Sequence, residues 1–151
     1  MHNHEVARIL NRIGDLLDIK GESVHKVLAY RRAADTIEEL GEDINDYQRE
    51  GQLADIPGVG KALSAKLDEL LTTGHLDYLE KLQEEVPLSL LDLLAVPGVG
   101  TKTVRLLWEQ LGITTLSEAE EAARAGQLRS LPGLGEKSEA RILAGIEVVR
   151  R

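Results

Sequence analysis

Apolar residues recur every three to four positions through most of this chain, which is the spacing that places side chains on one face of an α-helix. The first such segment ends at Gly21, a residue that readily adopts the left-handed end of a helix. The second segment starts after Ser23, a favourable N-cap, and continues to Gly41. No segment alternates apolar and polar residues over the length of a strand. The pattern therefore predicts an all-α helical bundle.

A five-residue pattern of apolar, Pro, Gly, apolar, Gly occurs three times in the rest of the chain, at 56–60, 96–100 and 131–135. Each copy precedes a longer amphipathic segment. We predict helices over these segments, at Lys61–Thr73, Thr101–Leu111 and Glu136–Val149, and shorter helices near 76–82 and over 117–125, the second of them capped at Ser117. Helix, hairpin and helix thus form an internal repeat.

The chemistry of this repeat suits a phosphate group. Pro cannot continue the incoming helix, and Gly permits left-handed backbone, so each copy predicts a tight turn that leads into a helix N-terminus. Amides exposed there, aided by the positive end of the helix dipole, suit a phosphate oxygen. The predicted phosphate-binding residues are Gly58, Val59, Gly60, Lys61, Gly98, Val99, Gly100, Thr101, Lys102, Gly133, Leu134, Gly135 and Lys137.

A single turn of this kind also serves as a plain connector between packed helices. Because three copies occur in register, each with a polar or basic residue in the next turn, we favour phosphate binding. The carbonyl groups of the turns point elsewhere and could ligate a monovalent cation, K⁺ or Na⁺, that bridges protein to phosphate. The carbonyls in question belong to Ile56, Val59, Val96 and Val99.

The chain is acidic and poor in aromatic residues. Aromatics make up 3% of its 151 residues, so Leu, Ile, Val and Ala must fill the core. The formal net charge of -8 argues against an indiscriminate electrostatic clamp on nucleic acid or anionic lipid. Local phosphate contacts made by backbone amides are compatible with this charge.

The sequence shows no sign of secretion or of membrane insertion. Its start lacks the basic and apolar stretches of a signal peptide, and no uncharged apolar run approaches the roughly 18 residues of a membrane span. Cys is absent, and the four His show no metal-ligand spacing with carboxylates, so we assign no zinc site. We expect a cytoplasmic protein that requires no cofactor and binds no membrane. The sequence leaves the oligomeric state open.

These motifs resemble a known family. The hairpins look like helix-hairpin-helix motifs, and the segments 12–15 and 29–34 resemble the N-terminal region of bacterial family X DNA polymerases, which are polymerase beta-like. The resemblance covers nearly the whole chain. It implies a lyase-type helical domain over 1–82 with the first motif, and a fingers-like subdomain over 83–151 with the second and third. It also implies binding to gapped, nicked or double-stranded DNA through phosphates, without sequence preference.

The resemblance further implies 5′-deoxyribose phosphate lyase activity in base excision repair. In the family, a Lys in the helix after the first hairpin forms a Schiff base with the sugar aldehyde, and Lys66 occupies the matching position. A lysine amine attacks only in its neutral form. The matches that line the 5′-phosphate pocket and the template base are His25, Lys26 and Tyr30. Two basic positions of the family are Ala62 and Tyr78 here.

An alternative from another class is a nonenzymatic scaffold or protein-interaction domain, in which the hairpins only pack helices. Lys66 would then be an ordinary solvated lysine on an amphipathic helix. Under either hypothesis we expect no polymerase activity from this chain, because it has no Asp-x-Asp pair to hold catalytic metal ions.

Overall fold

The computed structural model describes residues 1–151 and contains helices but no strands. The prediction of an all-α fold is confirmed. There are nine α-helices and two short 3₁₀ helices, Leu53–Asp55 and Leu128–Ser130. The α-helices are α1 (Asn3–Lys20), α2 (Val24–Glu38), α3 (Ile44–Arg49), α4 (Lys61–Thr73), α5 (Asp77–Glu85), α6 (Leu90–Leu93), α7 (Thr101–Leu111), α8 (Leu116–Arg124) and α9 (Glu136–Val149).

The chain divides into two compact units. Unit 1 comprises Met1–Asp18 and Glu22–Glu85, and unit 2 comprises Ile19–Gly21 and Val86–Arg151. Unit 1 contains the first hairpin, and unit 2 contains the second and third. The assignment of a lyase-type domain and a fingers-like subdomain to the two parts of the chain stays a prediction. None of the helices combines the length and the apolar character needed to cross a bilayer.

Aliphatic side chains form the core of unit 1, as the composition predicts. The largest side chains buried there are Leu10, Ile13, Leu16, Leu17, Ile37, Ile44, Ile56 and Leu67. Arg31 of α2 donates a hydrogen bond of 2.9 Å to Asp15 of α1, which ties these two helices together at the edge of the core. Ser23 caps α2 as predicted, because its hydroxyl accepts from the amide of Lys26.

Helix α2 ends at Glu38, earlier than the predicted limit of Gly41. The chain then forms a helix that the hydrophobic pattern did not predict, α3, whose N-cap Asp43 accepts from the amide of Asn45 at 2.9 Å. This helix has six residues and buries only Ile44, so it shows too little periodicity to be recognised from sequence.

Unit 2 has a second aliphatic core. Its largest fully buried side chains include Leu90, Leu93 and Leu107. Helix α8 begins at Leu116, and the predicted cap at Ser117 is wrong. The cap is Thr115, whose hydroxyl accepts from the amide of Glu118 at 3.1 Å. Glu118 in return accepts from the amide of Thr114 at 3.0 Å, which gives a reciprocal cap with two satisfied donors.

Candidate nucleic-acid interface

Each of the three hairpins is a tight turn closed by one backbone hydrogen bond. The amide of the fourth residue donates to the carbonyl of the first, and the N–O distances are 2.9 Å for Val59 to Ile56, 3.0 Å for Val99 to Val96 and 3.0 Å for Leu134 to Leu131. The third residue is Gly at positive φ, 84° at Gly58, 85° at Gly98 and 79° at Gly133. Pro at the second position and a positive φ at the third define a type II turn.

The apolar positions of the repeat anchor the turns, and the Pro and first Gly positions are exposed. Ile56 and Val59 are buried in unit 1, and Val96 and Val99 are buried in unit 2. Pro57 and Gly58 are exposed between the anchors of the first hairpin. The alternation of residue types along the motif therefore presents the turn backbone to solvent while the motif stays packed in the core.

The second Gly of each hairpin is the N-cap of the helix that follows. Gly60, Gly100 and Gly135 have extended backbone, and none makes a side-chain capping bond. The first amides of a helix have no partner within the helix. At the starts of α4 and α9 these amides are thus donors beside the positive end of the helix dipole, which is the arrangement that binds phosphate oxygens.

The helices that follow the hairpins differ in charge. The first turns of α4 and α7 contain no acidic residue, and Lys61 and Lys102 are exposed there. The first turn of α9 contains Glu136 and Glu139. Glu136 is the first residue after the third hairpin, and its side chain is 79% exposed. Its negative charge at this helix N-terminus disfavours the approach of a phosphate. Lys137 is also exposed at this helix start.

Glu139 of α9 accepts hydrogen bonds from the segment that leads into the third hairpin. Its carboxylate accepts from the amides of Leu128 at 2.9 Å and Arg129 at 3.0 Å, and from the Nη2 of Arg129 at 2.8 Å. These bonds join α9 to the 3₁₀ helix that enters the hairpin. Glu139 shares one face of α9 with the buried residues Ile142 and Ile146, and this spacing was the sequence signal that could have identified it.

Unit 1 contains a group of cationic and aromatic side chains, Lys26, Tyr30, Lys66 and Tyr78, which we call the lysine–tyrosine cluster. The rings of Tyr30 and Tyr78 are stacked, with centroids 6.0 Å apart and an angle of 7° between their planes. The Nζ of Lys66 lies 4.9 Å from the centroid of the Tyr78 ring, and the Nζ of Lys26 lies 5.8 Å from it. Both distances are typical of a cation–π contact.

The cluster is partly sheltered from solvent. Tyr30 is 8% exposed, whereas Lys66 and Tyr78 are half-buried. Burial raises the pKa of Tyr30, and the neighbouring hydroxyl of Tyr78 raises this pKa further. Tyr30 is therefore a neutral phenol at physiological pH, and the positive charge of the cluster resides on its two lysines.

Three of the residues that the resemblance singled out thus meet at one place. Lys26, Tyr30 and Lys66 come from α2 and α4, and Tyr78 of α5 is the residue through which they meet. In the sequence, Tyr78 stands out only because it replaces a basic residue of the family. His25 is exposed in the first turn of α2. The roles of these residues in DNA binding or catalysis stay predictions.

The turn carbonyls have the capacity expected of cation ligands. The carbonyl groups of Ile56 and Val96 each accept the hydrogen bond that closes their turn. A carbonyl oxygen has two lone pairs, so one lone pair remains on each for a cation. A backbone site of this type needs no acidic side chain, and the chain has no cluster of three or more His, Cys, Asp or Glu suited to a metal ion.

Comparison with known proteins places these features in a family. Residues 1–76 match the family model described as "Helix-hairpin-helix domain", and residues 90–147 match the one described as "SAM-like Helix-hairpin-helix tandem". The chain is 32% identical over 146 residues to DNA polymerase/3′-5′ exonuclease PolX of Bacillus subtilis (strain 168), an alignment that covers 97% of this chain and 25% of that protein.

Two eukaryotic proteins are also similar. Identity is 27% over 118 residues to DNA polymerase lambda of Rattus norvegicus, which covers 78% of this chain and 19% of that protein. It is 29% over 117 residues to DNA polymerase lambda of Arabidopsis thaliana, which covers 77% and 21%. The chain therefore spans a quarter or less of the length of these relatives. The resemblance to the N-terminal region of family X DNA polymerases is confirmed, and the chain belongs to the helix-hairpin-helix domain family.

Proposed function

We propose that this chain binds gapped or nicked DNA through its backbone phosphates and without sequence preference. The observation that carries the proposal is the repeated type II turn, which leads into a helix N-terminus without a side-chain cap at Gly60, Gly100 and Gly135. Backbone amides contact phosphate and not base edges, so such contacts position the protein without reading the sequence. Membership of the helix-hairpin-helix domain family and similarity to DNA polymerases support this function.

Substitution of Gly98 tests the role of the turn. Gly98 has a φ of 85° with nothing within 4 Å of its added Cβ, so Gly98→Ala strains the turn without a steric clash. Gly112→Ala is the matched control, because Gly112 has a φ of 66° and equally open surroundings but lies outside the hairpins. We expect Gly98→Ala to weaken binding to a gapped duplex about tenfold, measured by fluorescence anisotropy, and Gly112→Ala to bind as the wild type does.

The same measurement separates DNA binding from the scaffold alternative. A scaffold in which the hairpins only pack helices predicts no binding to gapped duplex, even at low salt. An equal loss of affinity in Gly98→Ala and Gly112→Ala would also reject the proposal, because it would trace the effect to general strain and not to the hairpin.

We further propose that unit 1 is a 5′-deoxyribose phosphate lyase with Lys66 as the nucleophile. The neutral amine of Lys66 attacks the C1′ aldehyde, and loss of water gives an imine. Removal of the C2′ proton then allows the C3′–O bond to break, so the DNA phosphate leaves with the bonding electrons, and water hydrolyses the remaining imine. In the resting state the ammonium groups of Lys26 and Lys66 beside Tyr78 supply the local positive charge that would hold the 5′-phosphate. Lys66 then has to lose its proton before it attacks the aldehyde, whereas Lys26 keeps its charge. This reaction would serve base excision repair.

Reduction with borohydride tests the lyase proposal. We expect a covalent adduct between the chain and DNA with a 5′-deoxyribose phosphate end, and at least a tenfold loss of adduct in Lys66→Ala. The control is Lys81→Ala, which removes an exposed lysine of the following helix α5 and should leave the adduct unchanged. An adduct that forms equally in Lys66→Ala would reject this residue as the nucleophile.

We also propose that a monovalent cation, K⁺ or Na⁺, binds at the same hairpins. Ile56 and Val59 would hold it in the first hairpin, and Val96 and Val99 in the second, through their carbonyl oxygens. The cation would supply a point of positive charge between the turn and a phosphate. Replacing K⁺ by a bulky organic cation at constant ionic strength should then weaken DNA binding.

A further inference from the structure

The two lysines of the lysine–tyrosine cluster have a neutral partner in place of a carboxylate. Neither Lys26 nor Lys66 forms an ion pair, although the chain carries 26 acidic residues against 18 Lys and Arg. Arg31 of the same helix α2 shows the contrast, since Asp15 pairs with it at 2.9 Å. The ring of Tyr78 thus contacts two ammonium groups whose charge is not cancelled.

An aromatic ring holds a cation differently from a carboxylate. The quadrupole of the ring attracts the ammonium but carries no net charge, so the cation keeps its full attraction for an anion. A carboxylate at the same place would hold the lysine and neutralise it. Two ammonium groups near one ring also repel each other, and an anion bound between them would relieve this repulsion.

Stacking on a buried ring positions Tyr78. Its ring lies parallel to that of Tyr30, with the two centroids 6.0 Å apart, and Tyr30 is 8% exposed. Tyr30 lies on α2 with Lys26, whereas Lys66 lies on α4. The stacked pair therefore gives two cations from different helices a common and rigid point of contact.

We propose that Tyr78 is a positioning residue whose ring holds the ammonium groups of Lys26 and Lys66 at one site, ready for the terminal phosphate of a DNA strand. This inference rests on the proposed binding of a 5′-phosphate by unit 1. In this role Tyr78 positions one lysine from α2 and one from α4. The role requires the aromatic ring but not the hydroxyl group.

Two substitutions at one position separate the ring from the hydroxyl. Tyr78→Phe keeps the ring, and Tyr78→Leu removes it while keeping an apolar side chain. Tyr47→Leu is the control, because Tyr47 is a half-buried tyrosine of unit 1 whose hydroxyl bonds to Glu42. Thermal unfolding followed by circular dichroism verifies that each variant is folded.

The first readout does not depend on DNA. A lysine held over a ring shows ring-current shifts of its ε-methylene protons, which proton–carbon NMR resolves. We expect these shifts for Lys26 and Lys66 in the wild type and in Tyr78→Phe, and their loss in Tyr78→Leu. Shifts that persist in Tyr78→Leu, or that are missing from the wild type, would overturn the proposal.

The second readout is the preference for a 5′-phosphate. Each variant is titrated with one gapped duplex that carries either a 5′-phosphate or a 5′-hydroxyl in the gap. We expect Tyr78→Leu to lose roughly tenfold in this preference, since two cation–π contacts are removed, and Tyr78→Phe to stay within about twofold of the wild type. An unchanged preference in Tyr78→Leu would reject the positioning role.

The same titration distinguishes an error in the proposed 5′-phosphate binding from an error in the role of Tyr78. If the wild type does not distinguish the two duplexes, unit 1 does not bind the 5′-phosphate, and the phosphate part of the proposal falls with it. If the wild type distinguishes them and Tyr78→Leu does so equally, binding stands and only the role of Tyr78 is rejected.

Discussion

Glu139 is the one charged residue that the fold buries, and it is 3% exposed. Four hydrogen bonds from the backbone and the guanidinium group of Arg129 and from the amide of Leu128 satisfy its carboxylate. Because these donors favour the charged form, and the side-chain bonds from Arg129 do so most, the pKa of Glu139 lies below its ordinary value. A buried charge with every donor in place stabilises one arrangement of the third hairpin.

We predict that Glu139 makes unit 2 sensitive to acid. A carboxyl whose folded pKa is lowered contributes stability that is present above its unfolded pKa, near 4.5, and is lost as the pH falls through the folded pKa. Glu139→Gln should therefore lower Tm by several degrees at pH 7, and the difference from the wild type should shrink at acidic pH. Scanning calorimetry from pH 7 to pH 3 measures both values.

The control for this prediction is Glu136→Gln. Glu136 also contacts Arg129, at 3.2 Å, but its side chain is 79% exposed. Removal of an exposed ion pair changes stability little. If Glu136→Gln lowered Tm as much as Glu139→Gln, the buried network would not be the source of the effect.

At the scale of the elements, the three hairpins share one geometry but not one electrostatic environment. The turns of Gly58, Gly98 and Gly133 have nearly the same φ, whereas only α9 begins with acidic residues. Backbone shape sets where a phosphate can lie, and the charge of the first helical turn sets how strongly it is attracted. The third hairpin should therefore contribute least to DNA binding.

Reversing the charge at this helix start tests the argument. Glu136→Lys replaces the exposed acid at the position that Lys61 and Thr101 occupy in the other two copies. We expect it to tighten binding to a gapped duplex about three- to tenfold at low salt, because it removes one repulsion and adds one attraction. Glu147→Lys, a charge reversal at the far end of α9, controls for net charge. Equal gains in both variants would mean that net charge alone acts.

Helix α9 also packs closely on the second hairpin. Gly145 is buried, and a Cβ added to it would lie 2.9 Å from Cγ1 of Val96 and 3.2 Å from Cδ of Pro97. The absence of a side chain at Gly145 is what allows the helix and the hairpin to approach.

Gly145→Ala should therefore destabilise the protein by roughly 1–3 kcal/mol through overpacking. The direction of the change in the free energy of unfolding distinguishes the two effects, since Ala in a helix interior would otherwise stabilise by about 0.5–1 kcal/mol relative to Gly. Urea unfolding measures the change. Gly41→Ala is the control, because nothing lies within 4 Å of the Cβ added at that position. A neutral or stabilising result for Gly145→Ala would contradict the close packing.

At the scale of the whole molecule, an acidic protein with a net charge of -8 is proposed to bind a polyanion. Backbone amides and a few exposed lysines must then make the contacts. We predict that affinity for gapped duplex falls with salt, with a slope of only about -2 to -4 in a plot of log K against log salt. Lys102→Ala should make this slope less negative by about one, because it removes one phosphate contact. A slope near -8 would indicate a broad cationic surface and contradict a binding mode based on amides.

Much of the helical framework could be predicted from the sequence, since Pro-Gly pairs and terminal Gly residues fix helix limits locally. Helices α4, α7 and α9 have the bounds that the pattern predicts. Two features that the sequence pattern did not predict correctly, helix α3 and the N-cap of α8, have physical reasons. Helix α3 is too short to show a period, and Thr115 competed with Ser117 as a cap.

The candidate sites were less accessible to sequence reasoning, because they depend on contacts between distant residues. Tyr78 meets Tyr30 and two lysines from other helices only after unit 1 has folded. Family resemblance pointed to Lys26, Tyr30 and Lys66 but not to the ring between the two lysines. Local patterns thus predicted the turns, and the tertiary structure supplied the cluster.

The contact of Gly145 with the second hairpin has a mechanical consequence. Helix α9 starts at the third hairpin and presses against the second, at Val96 and Pro97. A helix is a stiff rod, so the distance between the two turns is fixed by the length of α9 that separates them. A DNA backbone that contacts both turns in the proposed way would therefore have to match this fixed spacing.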